Sequence, residues 1–375
     1  MKETADAIII GAGIVGAACA EALTRDRLRV MLIESSAVGG GATAAGMGHV
    51  VVMDDSEAQF TLTKYSRDLW NNSVSQLPSE VEFEARGTLW IAADEEEYGA
   101  VHQKEAFYKT RGVRAEALDS RALAEAEPNL RSGLAGALLI PDDSVVYAPC
   151  AAQWLVSQAQ RRGASLKLGA HVTALSADGV TLNDGTTISA GLTVCATGTW
   201  ATTLFPALAM RPRKGHLAIT DRYPGFVRHQ LVELGYLKSA HGASNESVAF
   251  NVQPRSTGQV LIGSSRQYDQ THSSIDEPIL RRMLQRALEY MPGLAPLSVI
   301  RAWIGFRAAT EDKLPVVGPC PDRPGVYLAT GHEGLGITTS LGTAQLLADL
   351  VMNRKPAIDA AAYSPSRLLQ RPAHV

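Results

Sequence analysis

Apolar and polar positions along the 375-residue chain alternate with two periods, and the switches between them predict the elements. Ala5–Ile10 is a continuous apolar run of strand length, Ile14–Arg25 has helical spacing, and Arg29–Glu34 is a second β-branched run. Strand, glycine turn, helix and strand within this stretch make a βαβ unit. Ser56–Gln76 predicts a helix, and Phe83–Ala93 and Gly136–Ile140 alternate as strands do. Asp119–Glu127 reads as a helix stopped before Pro128, and Ala151–Arg162 as another. Leu166–Leu168, His171–Leu175 and Gly179–Leu182 read as short strands, with a hairpin turn at Asn183-Asp184-Gly185. Leu192–Ala196 is a buried strand running into Thr197-Gly198-Thr199-Trp200. Residues 210–270 are β-rich, with alternation in Glu246–Val252 and Gln259–Ser264. Glu277–Tyr290 predicts a helix and Val299–Phe306 a strand. Gly325–Ala329 is a short buried strand, followed by a glycine loop and a helix, Thr338–Asn353. The Pro/Ala-rich tail, Lys355–Val375, is expected to be peripheral.

Composition narrows the function classes. With 46% hydrophobic and 19% charged residues, the chain has the make-up of a globular protein with sizeable cores. A net charge of −3 supplies no overall field for nucleic acid. No apolar run reaches the length of a membrane span, and the N-terminus lacks the apolar stretch of a signal peptide. Cys19, Cys150, Cys195 and Cys320 are too scattered for a metal clip or a disulfide framework. They read as reduced thiols in a cytoplasmic protein, with no metal expected.

Three glycine-rich segments carry the chemistry. Gly11-Ala12-Gly13-Ile14-Val15-Gly16 follows a strand and opens a helix, and Glu34 ends the next strand with Ser35 beside it. In that setting the glycines allow a tight turn, close approach to a pyrophosphate, and close helix–strand packing. The helix N-terminus favours phosphate, and Glu34 suits ribose hydroxyls while repelling a 2′-phosphate. These residues alone fit either NAD or FAD. The second segment, Gly39–His49, follows directly with Thr43, Ala44, Ala45, Gly46, Met47 and Gly48. A second small-residue stretch lets backbone lie along an extended ligand, which FAD requires and NAD does not. Met47 suits either a flavin contact or core filling, and His49 either a flavin contact or a strand end. The third segment, Gly331-His332-Glu333-Gly334-Leu335-Gly336-Ile337, leads through Thr338 into a helix and can aim several N–H groups at one point. Between these, Ala196, Gly198 and Trp200 mark a turn that would return the chain to the dinucleotide. Arg307 follows Trp303-Ile304-Gly305-Phe306 in an apolar strand, where a guanidinium needs a partner. A carboxylate held by its planar fork is the functional reading, and a salt bridge to Glu311, Asp312 or another acid the alternative. Arg211, Arg213 and Lys214 read as a solvated basic face.

Taken in order, GxGxxG with Glu34, GGGATAAGMG, CATGTW, WIGFRAATEDKLPVVG and GHEGLGIT resemble the FAD-dependent amino-acid oxidoreductases, the family of D-amino-acid, glycine and sarcosine oxidases. The stretches PDDSVVYAP, FNVQPRSTGQVLIGSSRQ and GHEGLGITTSLGTAQLLADL are most similar to the FAD subunits of hydroxyproline dehydrogenases (D-hydroxyproline dehydrogenase β subunits) and of hydrogen cyanide synthase. The resemblance implies an α/β fold, a Rossmann-like FAD-binding domain built from residues 1–80, 145–205 and 305–360. Into it would be inserted an α+β substrate domain with an antiparallel sheet, residues 81–144 and 206–304. It implies that Gly11, Gly13, Gly16 and Glu34 hold the ADP half, that residues 43–49 line the pyrophosphate and flavin, and that Val172 offers its backbone to adenine. Residues 331–338 would hold the flavin edge and Arg307 the substrate carboxylate. Where sarcosine oxidases carry a cysteine that bonds the flavin, Ala308, Ala309 and Thr310 stand here, so the FAD is expected to be noncovalent. The family's glycine oxidases place a second substrate arginine in the glycine loop, where this chain has Glu333-Gly334-Leu335. The implied reaction is hydride transfer from a small amino acid, cis-4-hydroxy-D-proline foremost, in company with electron-transfer subunits. A stand-alone oxidase using oxygen, an NAD-dependent dehydrogenase and a non-catalytic flavin subunit are the rivals.

Overall fold

A computed structural model describes residues 4–235, 246–268 and 270–369. The chain divides into two compact units, the first from Met1–Val81, Val146–Pro212 and Phe306–Val375, the second from Glu82–Val145 and Arg213–Gly305.

The first unit is built on an eight-stranded sheet. Its path runs Val316–Pro319, Val326–Thr330, Thr187–Cys195, Thr4–Ile10, Val30–Glu34, Ser165–Leu168. From the second strand on, neighbours are parallel, and the Val172–Ser176/Gly179–Leu182 hairpin joins the Thr187–Cys195 strand. Parallel strands are buried on both faces, which is why Thr4–Ile10 and Val30–Glu34 read as unbroken apolar runs. The helices Ile14–Arg25, Glu57–Ser73, Ala148–Arg161 and Gly336–Val351 pack against one another. Ser56 starts the second of these by accepting a hydrogen bond from Gln59 N. One apolar cluster, including Ile8, Ile33, Cys195, Phe205, Val316, Cys320 and Leu328, fills the space under the sheet.

The second unit has a sheet of the opposite character. Its order is Val299–Thr310, Met210–Arg222, Gln259–Gln267, Glu246–Pro254, Gln230–Glu233, Thr88–Ala92, Gly136–Ile140, Glu116–Asp119. The antiparallel pattern expected from the sequence holds through most of it. One pair, Gln230–Glu233 and Thr88–Ala92, is parallel. A parallel pair needs a long return connection, and the residues between 92 and 230 provide one. Helix Glu277–Tyr290, capped by Asp276 and begun with Pro278, covers one face. There Leu89, Ile91, Leu231, Phe250, Val252, Ile262, Met283 and Tyr290 form the core.

Two differences from the sequence reading have simple causes. Helix Glu95–Thr110 was not expected, since of its sixteen residues only Val101 and Tyr108 are buried and the apolar stripe is too thin to read. Within the small-residue stretch Gly39–His49, to which the sequence assigned no element, Gly41–Ala45 forms a single helical turn.

Candidate functional site

The first unit brings its glycine-rich segments together. Gly11 ends the first strand with a φ of +97°, and a Cβ there would stand 2.7 Å from Ala196 O. A Cβ on Gly16 would lie 1.9 Å from Gly11 O, so the helix can meet the turn only without a side chain. Helix geometry leaves the N–H groups of Ile14, Val15 and Gly16 without an acceptor inside the helix. Thr43 Oγ1 accepts from Ile14 N at 3.0 Å, which ties the second segment to the first. Glu34 lies at the same turn. Its Oε2 accepts from Ala12 N at 2.7 Å and its Oε1 from Ser36 N at 2.8 Å, while the exposed Ser35 hydroxyl donates to Oε1 at 3.3 Å. Ala170 N donates to the main-chain O of Glu34 at 3.2 Å, which ties the chain leading into the Val172 strand to the end of the Glu34 strand. Val172 itself buries its side chain in the core and offers only backbone.

The third segment meets the second. Thr338 Oγ1 donates to His49 O at 2.8 Å, and a Cβ on Gly46 would lie 2.9 Å from Ile337 Cδ1. The Thr338 hydroxyl is therefore engaged with the backbone. Ser66 Oγ donates to Thr338 O at 2.6 Å and Trp70 Nε1 to Ile337 O at 3.2 Å, which fix the first turn of helix Gly336–Val351. Val15 Cγ2 would lie 3.9 Å from a Cβ on Gly336, so the N-termini of two helices come near each other. Each contributes positive dipole to the space before it. His332 is buried beneath the loop with Nε2 3.0 Å from Thr343 Oγ1. Burial pushes its pKa down to about 3, so it stands neutral.

Arg307 closes this arrangement. Glu333 N donates to Ala308 O at 2.9 Å, which lays the glycine loop along the end of the arginine's strand. The Arg307 side chain passes Gly334 so closely that a Cβ there would be 3.6 Å from Nε. Asp312, one of the salt-bridge alternatives, is taken by Arg367 at 2.7 Å. Glu333 folds back on its own loop, its Oε2 accepting from Gly334 N at 2.7 Å.

The model of the DAO family, FAD dependent oxidoreductase, matches residues 6–350. The chain belongs to this family. It is 29% identical to glycine oxidase of Geobacillus kaustophilus over 98% of both chains. It is also 26% identical to hydrogen cyanide synthase subunit HcnC of Pseudomonas aeruginosa, covering 100% of this chain and 99% of that one. The crystal structure of the Geobacillus glycine oxidase superposes with a TM-score of 0.87 at 28% identity, over 99% of this chain and 100% of that one. The protein is thus an FAD-dependent oxidoreductase acting on amino acids, with a Rossmann-like domain.

The first unit fits FAD on its own geometry. Gly11 and Gly16 let the strand, turn and helix close up with no side chain between them, and the two nearby helix N-termini have N–H groups suited to a bound phosphate. The structure places the other sequence-predicted residues of this flavoprotein as follows. Ala196 packs its backbone against Gly11. Trp200 is 73% exposed, and space is open around Gly198. Ala44 is exposed, while Ala45, Met47 and His49 are half-buried beside Gly48. Arg213 and Lys214 are buried, which corrects the solvated-face reading; only Arg211 is exposed. Both lie in strand Met210–Arg222, where Arg213 stacks 4.7 Å from the Tyr268 ring and Lys214 Nζ donates to Ser274 O at 2.7 Å. Burial lowers the Lys214 pKa. Cys195 and Cys320 are buried in the apolar cluster, and burial raises the Cys195 pKa. No metal-binding group of His, Cys, Asp or Glu occurs among the described residues, and no helix there is long and apolar enough to cross a membrane.

Sequence reasoning passed over the face of the second sheet turned away from its core. Thr88, Trp90, Gln230 and Asn251 are buried there at alternating positions. The signal was present as a period of two, but with polar residues at positions that burial on both faces would make apolar.

Proposed function

We propose that this family member is an FAD-dependent dehydrogenase that oxidises a secondary D-amino acid, cis-4-hydroxy-D-proline first among them, to the imine. The observation that carries the reading is the placement of Arg307 along the glycine loop at Gly334. A guanidinium there would hold a substrate carboxylate as a bidentate pair and set the Cα–H toward the cofactor. In the same reading Gly11, Gly13, Gly16 and Glu34 hold the ADP half, residues 43–49 the pyrophosphate and flavin, and residues 331–338 the flavin edge. Bound FAD supplies the acceptor for the hydride that leaves the substrate. The chain's own part is positioning and charge. The N-terminus of helix Gly336–Val351 favours negative charge building before it, and neutral His332 leaves that field unaltered. The substrate amine must arrive deprotonated, since its lone pair drives the C–H electrons out, and no side-chain base is then needed. Noncovalent binding is supported by Cys320, which is packed in the apolar core.

The hydroxyproline substrate and the subunit partnership rest on the sequence stretches most similar to hydroxyproline dehydrogenases. The match to a protein named as a subunit of a synthase supports the partnership. Four free thiols support a cytoplasmic setting. A stand-alone oxidase is the second reading, favoured by the match to glycine oxidase along nearly the whole chain. Anaerobic titration with cis-4-hydroxy-D-proline, following the flavin band, tests the first. It is expected to bleach the band, which should stay bleached until a dye is added. A band that moves only with glycine or sarcosine, and recovers on admitting oxygen with stoichiometric peroxide, assigns the protein to the second.

A further inference from the structure

The composition of the tail predicts a peripheral segment, yet its described residues are built into the first unit. Tyr363 is buried, and its hydroxyl donates to Ala58 O at 2.7 Å. Pro365 and Leu368 are buried, and Ala209 N donates to Leu368 O at 3.0 Å. These contacts anchor the turn Pro365–Arg367, from which the Arg367 guanidinium collects four acceptors. Nε donates to Asp312 Oδ2 at 2.7 Å and Nη2 to Leu314 O at 3.3 Å. Nη1 donates to Pro315 O at 3.3 Å and to Ser364 O at 3.4 Å. Asp312, Leu314 and Pro315 belong to one turn, which joins the Arg307 strand, ending at Thr310, to the strand Val316–Pro319.

That turn is bonded to itself and packed on the glycine loop. Thr310 Oγ1 donates to Leu314 O at 2.9 Å, and Leu314 N donates to Asp312 Oδ1 at 3.1 Å. Lys313 takes a φ of +61°, left-handed backbone that a non-glycine residue keeps only where its surroundings enforce it. A Cβ on Gly331 would meet Thr310 Cγ2 at 2.8 Å, and Glu333 N donates to Ala308 O at 2.9 Å. Strand end and loop are therefore matched at two points, and Arg307 is the next residue along.

We propose that Arg367 is a positioning residue, which holds this turn and so sets where Arg307 stands along the loop at Gly334. The inference rests on the reading of Arg307 as the clamp for a substrate carboxylate. The side chains of Arg367 and Asp312 are 21% and 37% exposed, so their ion pair alone contributes little. The effect comes from one planar group fixing three acceptors of one turn. A bidentate carboxylate pair depends on exact placement, so a small slip of the Arg307 strand weakens it.

The test is steady-state kinetics of the holoenzyme with whichever of cis-4-hydroxy-D-proline, glycine and sarcosine reduces the flavin. R367M is expected to raise KM about tenfold while kcat stays within about threefold, the pattern of lost uniform binding. Flavin content, read from the visible band, should be unchanged. D312N keeps the oxygen that accepts from Leu314 N and removes the charge; it should raise KM in the same direction, by less. The deciding measurement is the same substitution in an R307K background, where the bidentate clamp is already gone. There R367M should change KM by less than about twofold, because two residues acting through one contact are not additive. If R367M does not yield folded protein, D312N carries the same cycle. An unchanged KM overturns the proposal. So does a rise of equal size in both backgrounds, or a joint loss of flavin and kcat, which would make Arg367 a support of the fold alone. If R307K costs activity and the cycle shows no coupling, this proposal falls and the clamp stands. If R307K leaves KM and kcat unchanged, the clamp reading falls and takes this one with it.

Discussion

The glycine segments of the first unit and the polar row of the second treat their polar groups in opposite ways. In the first, recognition lies in the backbone. Glycines clear space, helix ends aim N–H groups, and the polar side chains, Thr43, Glu34 and Thr338, are tied to main-chain atoms. In the second, the backbone is consumed by the sheet ladder, and four side-chain atoms are left over. Backbone recognition suits a large, invariant ligand with many phosphate and ring contacts.

Three experiments sharpen this contrast. The largest effect is expected from Gly16→Ala. The added Cβ would meet a carbonyl oxygen at 1.9 Å, and neither turn nor helix can yield that far. The protein should purify without flavin, read from the ratio of visible to ultraviolet absorbance; a normally yellow variant would remove the backbone cradle from the argument. Arg307→Ala comes next. It should lower kcat/KM by about a hundredfold or more, the scale of losing a charged bidentate pair, with flavin content intact. A change under threefold would show that the clamp is elsewhere. The smallest is a matter of stability. The unfolded chain protonates His332 near 6.5, whereas the folded chain resists until about 3. The unfolded state therefore binds the extra proton in that window. Stability should be full above 6.5 and decline toward 3, with this group adding a slope of at most about 1.4 kcal/mol per pH unit. His332→Asn should flatten the decline in melting temperature from pH 7 to pH 4. An unaltered slope would place the sensitivity in other groups.

Legibility followed the same division. The βαβ unit and the loop before helix Gly336–Val351 were readable because glycine spacing and apolar runs are local signals. Glu277–Tyr290 was delimited to the residue, helped by Asp276 and Pro278 at its start. Helix Glu95–Thr110 was missed because it rests on the sheet by two residues. Lys214 reads as surface in any one-dimensional pattern, yet its strand carries it inside, where Ser274 O receives its ammonium.

What the sequence determined by itself is the dinucleotide chemistry: a turn that tolerates no Cβ, a helix opening behind it, and an acid at the end of the next strand. These are set by neighbours in the chain, so spacing alone specifies them. What only the tertiary structure decided is which distant side chains meet. Arg307 reaches Gly334 because two strand ends lie together, and Gln230 faces Thr88 because parallel register joins segments more than a hundred residues apart. Register is fixed by burying the opposite, apolar face of the sheet, and that constraint exists only once the strands have packed.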